Sequence, residues 1–116
     1  MELAVVVLAG TETHGDLGRL ANALETAAEA ADAGADVELV FDGAAVRWVA
    51  RLEDPDHKHH ALWRGLKPRA GACVYCARAF GVLAVVRAAG VKLLNEHRGH
   101  PSLYGRLARG AAVLTF

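Results

Sequence analysis

Short apolar runs alternate along the chain with longer segments whose apolar residues recur every three to four positions, which predicts strands interleaved with helices. Residues 3–8 are continuously apolar and rich in valine, the pattern of a strand buried on both faces. A polar stretch, Thr11-Glu12-Thr13-His14-Gly15-Asp16, follows it. Leu17, Leu20, Leu24, Ala28 and Ala31 then recur at helical spacing, with Thr13 or Asp16 to cap the start and Gly34 to stop the helix. Residues 37–41 predict a second strand ended by Asp42-Gly43, and residues 44–52 a second helix. Asp54-Pro55-Asp56 breaks that helix and starts another over residues 57–66. Residues 70–74 predict a third strand, and 77–89 a helix weakened at Gly81. A fourth strand (91–94), a short helix (102–109) and a closing strand (111–116) complete the pattern.

Five apolar runs separated by helical segments point to an α/β protein, a three-layer sandwich around a mostly parallel sheet, with residues 1–116 forming one domain. Thirteen lysines and arginines balance 13 aspartates and glutamates, which leaves no basic stripe for nucleic acid or an anionic membrane. Neither is expected as a partner. The apolar fraction is 53% with only 6% aromatic, so the core is expected to be Ala, Val and Leu in close contact. The apolar beginning lacks a basic region ahead of it, and no stretch reaches the roughly 18–20 uncharged residues a bilayer crossing needs. A cytoplasmic protein is the expectation.

In open parallel sheets the functional crevice lies outside the carboxyl ends of the strands. That edge should gather Thr11, Thr13 and His14 after the first strand and Asp42 after the second. Cys73, Tyr75 and Cys76 follow the third, and Asn95, Glu96, His97 and His100 the fourth. Cys73-Val74-Tyr75-Cys76 is a CxxC at a strand-to-helix junction, where free N–H groups and the helix dipole favour a thiolate and Arg78 adds positive charge. A thiolate there attacks sulfane sulfur or disulfides, and the second thiol can resolve a mixed disulfide. The candidate catalytic residues are therefore Cys73 and Cys76, with His14 as base or orienter of Cys73. Thr11, Tyr75 and Asn95 are candidate substrate contacts.

Other readings of the same residues stand beside this one. Both cysteines could be small buried apolar residues, and thioredoxin-like exchange lacks the tryptophan, glycine and proline usual in its motif. Two cysteines with two of the six histidines could hold zinc, and His57 and His60 share a helix face. The spacing is not that of a zinc finger, so no metal ligand is assigned and no cofactor is expected. Residues 10–18 lack the glycine spacing of a dinucleotide or phosphate loop. Trp48 and Trp63 read as core or subunit contacts.

Taken together, these motifs resemble the DsrE/DsrF-like family, with its TusD- and YchN-related sulfur-relay branches. The resemblance covers nearly the whole chain. It rests on the apolar first strand, the polar turn with Gly15 before a long Ala/Leu helix, Val-Phe-Asp-Gly at 40–43, Cys73 through Gly81, and Val-Leu-Thr-Phe at 113–116. In that family a cysteine ends the third strand and a glycine follows eight residues later, which places Cys73 and Gly81 on the sulfur-carrying motif. Cys76 matches a second cysteine found in some branches, and Phe80 stands where the family often has arginine. The resemblance implies a Rossmann-like five-stranded sheet in an α/β/α sandwich. It also implies a homo-oligomer of three or six chains, or an assembly with related subunits. Its chemistry would be sulfane sulfur carried as a persulfide on Cys73 and exchanged with donor and acceptor proteins. A metal- or ligand-binding oligomeric module that uses the Cys and His residues without catalysis is the alternative class.

Overall fold

The valine run forms β1 (Glu2–Val7), whose double-sided burial is met by a neighbour on each edge, β2 (Asp36–Phe41) and β5 (Ala112–Thr115). Beyond β2 lie β3 (Ala70–Cys73) and β4 (Lys92–Leu94). The computed structural model describes residues 1–116 and gives the order β4-β3-β2-β1-β5. All four strand pairs are parallel, so the sheet is fully rather than mostly parallel. Six α-helices complete the alternation: α1 (His14–Asp32), α2 (Trp48–Glu53), α3 (His60–Leu66), α4 (Val74–Ala79), α5 (Leu83–Ala88) and α6 (Leu103–Ala108).

Strand order fixes how the layers fill. From β1 to β4 each crossover advances in the same direction, and the right-handed rule then puts α1 to α5 on one face. Leu3, Val5, Val7, Leu39, Phe41 and Ala72 point into that face and pack with Leu20, Leu24, Trp48, Leu52, Trp63 and Val86. Trp63 meets Phe41 edge-on at 5.6 Å, and the Trp48 indole N–H donates to the Ala9 carbonyl at 2.9 Å. Both tryptophans are core. The connection from β4 to β5 reverses direction, so α6 alone covers the alternate residues Val6, Val40 and Leu94, with Leu103 and Val113 beside them. Three layers result, unequally filled. No helix is long and apolar enough to cross a membrane.

Helix boundaries depart from the periodic pattern where local hydrogen bonds intervene. Thr13 caps α1, its Oγ1 accepting from Asp16 N at 3.0 Å, and Gly34 follows the helix end with φ of 87°. The helix expected over 57–66 begins only at His60. Asp54 Oδ1 accepts from Asp56 N at 2.9 Å and His57 Nδ1 from His59 N at 3.1 Å, so side chains capture the amides that a first turn would leave free. The helix expected over 77–89 is two helices. Gly81, at φ 70°, turns the chain out of α4 while Val82 N reaches back to the Ala77 carbonyl at 2.8 Å, a Schellman closure. The segment expected to be helical over 44–52 opens with a 3-10 stretch, Gly43–Arg47, before α2.

One charge network ties the α6 layer to the sheet. Arg106 is 2% exposed; its Nε and Nη2 grip Glu38 on β2 at 2.5 and 2.7 Å, and its Nη1 reaches Glu96 Oε1 at 2.7 Å. Glu96 Oε1 also accepts from Ser102 N at 3.1 Å. Arg106→Ala leaves two carboxylates without their cation, and we expect a loss of about 2–3 kcal/mol by urea denaturation, in the range of charged hydrogen bonds; a loss near zero would mean the network is dispensable. Burial raises the Glu96 pKa, but the Arg106 and Ser102 hydrogen bonds outweigh it and hold the carboxyl below its ordinary 4.5. A depressed folded pKa stabilises fully above the unfolded value and is lost as pH falls through the folded one. Stability should therefore decline as pH drops below about 4.5, and this part of the decline should be absent in Glu96→Gln.

Candidate functional site

Cys73 ends β3 and caps α4: its backbone is extended at φ −62°, ψ 123°, and its Sγ accepts from Cys76 N at 3.4 Å. The first turn of α4 returns Cys76 to the same sheet edge. On one side, β2 ends at Phe41 and Asp42 follows, its Oδ1 accepting from Gly43 N at 2.8 Å and lying 3.4 Å from Cys76 Sγ. On the other, the chain leaving β4 closes a tight turn in which His97 N donates to the His100 carbonyl at 2.9 Å and His100 N to the His97 carbonyl at 2.8 Å. Arg98 at φ 51° and Gly99 at φ 85° give that turn the mirror-image geometry of a two-residue hairpin.

The turn folds over the start of α4. Tyr75 N donates to the Gly99 carbonyl at 2.9 Å, and the Tyr75 and His100 rings lie 4.7 Å apart. His100 Nδ1 comes within 3.3 Å of Cys73 Sγ, which also lies 3.6 Å from the Gly99 carbonyl. One donor atom each from Asp42, Cys73, Cys76 and His100 all lie within 4.8 Å of one another.

The electrostatics reverse the expected activation of Cys73. The residue is fully buried, and burial pushes its thiol up to about 12, against only a weaker lowering by the Cys76 N–H. The Cys76 thiol and the Asp42 carboxylate raise it further. Cys76 is also raised, first by burial, with Asp42 adding to it. The dipole of a six-residue helix does not overcome desolvation here. Arg78 does not serve the thiols as expected. It lines an open cleft of about 620 Å3 with Val74, Tyr75, Ala79, Asn95, Arg98 and Gly99.

The expectation for His14 fails on strand order. A role for His14 at Cys73 requires the loop after β1 to lie beside β3, but β2 lies between them, and His14 is exposed at the first turn of α1. Thr11 sits half-buried in that same loop, its N–H turned to Glu12 Oε2 at 3.0 Å. Tyr75 and Asn95 both line the open cleft, Tyr75 from the first turn of α4 between the two cysteines. The histidines near position 57 stay apart from the thiols, His57 against Trp48 and His60 Nδ1 bonded to the Leu52 carbonyl at 2.7 Å. His100 and Asp42 fall on this edge by their positions after β4 and β2, but nothing in the sequence alone gives either a role. Arg98-Gly99 between two histidines was the available sign of a tight turn that sends His100 back toward β3.

Residues 3–116 match the DsrE/DsrF-like family. The chain belongs to that family. Among solved structures, a conserved protein of unknown function from Bacteroides thetaiotaomicron is similar with a TM-score of 0.66. It is 18% identical, and the match covers 97% of this chain and 94% of that one, a likeness of fold. Comparison with the curated proteins finds no match. The site of this DsrE-like chain lies over β2, β3 and β4, to one side of the point between β1 and β5 where the strand order reverses.

Raised thiol pKa values have a direct consequence. Iodoacetamide should modify the native, reduced protein slowly at neutral pH, and the rate should keep rising above pH 9, the ordinary thiol value. Both thiols should react at once in denaturant. A rate that levels off below pH 9 would show that burial does not govern them.

Proposed function

We propose that the Cys73–Cys76 pair handles sulfane sulfur in the cytoplasm, with Cys73 as the carrier and His100 as its proton acceptor. The observation that carries this reading is the 3.3 Å approach of His100 Nδ1 to Cys73 Sγ, with a second thiol one helical turn away. Membership of a family associated with sulfur relay supplies the reaction class. His100 takes the Cys73 proton as the thiolate attacks the outer sulfur of a donor persulfide; the donor S–S bond breaks, Cys73 becomes S–SH, and the donor leaves as a thiol. Burial disfavours the thiolate in the resting protein, so an adjacent imidazole matters more than it would for an exposed thiol. Cys76 can then attack Cys73 Sγ, forming a Cys73–Cys76 disulfide and releasing sulfide: the outer sulfur is reduced and the two thiols are oxidised.

Tyr75 and Asn95, with Arg78 and Arg98, line the cleft where a donor or acceptor would dock. Thr11, in the loop after β1, has no part in this reading. Assembly of three or six chains, or with related subunits, belongs to it as well, and light scattering after size-exclusion chromatography reads that directly. Exposed Tyr104 and Leu107 on α6 and Leu114 on β5 offer apolar contact area for it.

Intact mass after incubation with a sulfane-sulfur donor tests the chemistry. We expect a reductant-sensitive gain of roughly 32 Da that Cys73→Ala abolishes, as for a persulfide cap on a thiol. His100→Ala should slow the gain about a hundredfold, the usual scale of general-base assistance. A gain lost in Cys76→Ala but kept in Cys73→Ala would exchange the two roles, and a folded protein that takes up no sulfur would end the reading.

A further inference from the structure

We infer that Asp42, Cys73, Cys76 and His100 form a tetrahedral binding site for a divalent ion of the zinc class. The four donors come from the end of β2, the end of β3, the first turn of α4 and the turn after β4. The parallel sheet, not a local sequence motif, brings them together. Zinc held at about 2.3 Å by sulfur and about 2.0–2.1 Å by nitrogen or oxygen gives a tetrahedron with edges of roughly 3.3–3.8 Å. Two edges of this cluster measure 3.3 Å (Cys73 Sγ to His100 Nδ1) and 3.4 Å (Cys76 Sγ to Asp42 Oδ1), and every donor pair lies within 4.8 Å. Both of these edges come within a few tenths of an ångström of the tetrahedral lengths, and the remaining donors need to close in by no more than about 1.5 Å to seat the ion.

The surroundings already orient the ligands. Gly43 N–H fixes the Asp42 carboxylate at 2.8 Å, Cys76 N–H points at Cys73 Sγ at 3.4 Å, and the Tyr75 ring backs His100. Calcium and magnesium need six or more oxygens, whereas two sulfurs, one nitrogen and one carboxylate suit zinc. The histidines near position 57 are poorer candidates, because His57 Nδ1 accepts from His59 N and His60 Nδ1 is bonded to the Leu52 carbonyl. On binding, both thiols coordinate as thiolates and release their two protons to solvent.

The inference stands without the sulfur chemistry, and no sulfur donor enters its test. Reduced protein is titrated anaerobically with Co2+, and a tetrahedral thiolate site should give intense visible bands that saturate at one ion per chain and bleach when Zn2+ is added. Cys73→Ser and Cys76→Ser should each abolish the bands, His100→Ala and Asp42→Asn should weaken binding at least about tenfold, and His97→Ala should leave it unchanged. Should a cysteine variant fail to fold, the wild-type protein decides: one equivalent of Zn2+ should protect both thiols from alkylation, and a chelator should release them. Pale octahedral Co2+ bands, or thiols that stay equally reactive with Zn2+, would overturn the site. So would tetrahedral bands that survive both cysteine variants. Failure of sulfur uptake alone leaves this inference intact, and failure of Co2+ binding alone leaves the sulfur reading intact.

Discussion

Parallel pairing makes β2, β3 and β4 end on one edge of the sheet, with neighbouring strands about 4.8 Å apart. Residues that follow those strands are therefore delivered to within bonding distance of one another. Asp42 follows β2, Cys73 completes β3, and the short path from β4 turns back at Arg98-Gly99 to present His100. Close approach of β3 and β4 is part of this. A Cβ at Gly71 would lie 2.7 Å from Leu94 Cδ1, so glycine is the residue that lets the Leu94 side chain lie across β3. A larger residue there would force the buried Leu94 side chain out of its place at the end of β4, the strand that leads to the His100 turn.

Convergence and burial come from the same geometry, and they pull the chemistry in opposite directions. The turn over α4 that brings His100 to Cys73 also seals Cys73 from solvent, and the nearby Asp42 carboxylate further disfavours a thiolate. A helix start with a free N–H favours the anion, but a single 3.4 Å contact to sulfur from a six-residue helix is the weaker effect. The resting thiols are thus protonated and protected. Anything that uses them has to supply a home for the proton or a cation in its place, and the site holds an imidazole suited to the first and a donor set suited to the second.

Much of the fold was legible because buried parallel strands and amphipathic helices leave strong periodic signals, and all five strands lie where valine-, leucine- and alanine-rich runs placed them. The split at Gly81 and the delayed start at His60 were less legible, because they depend on single hydrogen bonds that composition does not encode. The CxxC was visible as chemistry, but its partners were not. Choosing between His14 and His100 requires the strand order, and nothing local in the sequence says that β2 separates β1 from β3. Asp42 read as a strand stop because its second role, facing Cys76 across 34 positions of sequence, is purely tertiary.

Arg106 links that tertiary geometry to the thin layer on the other face of the sheet. Its guanidinium holds Glu96, and Glu96 N in turn donates to the His100 carbonyl at 2.9 Å. Glu96 thus belongs both to the charge network around Arg106 and to the turn that presents the imidazole. A fully satisfied network around a nearly buried cation is stiff, because moving any member leaves a charge unpaired. The turn itself contains Arg98 in a left-handed conformation that a non-glycine residue adopts at a cost, and it needs such an anchor to stay closed. The position of His100 beside Cys73 therefore rests on ion pairs beneath the sheet as much as on the turn that carries it.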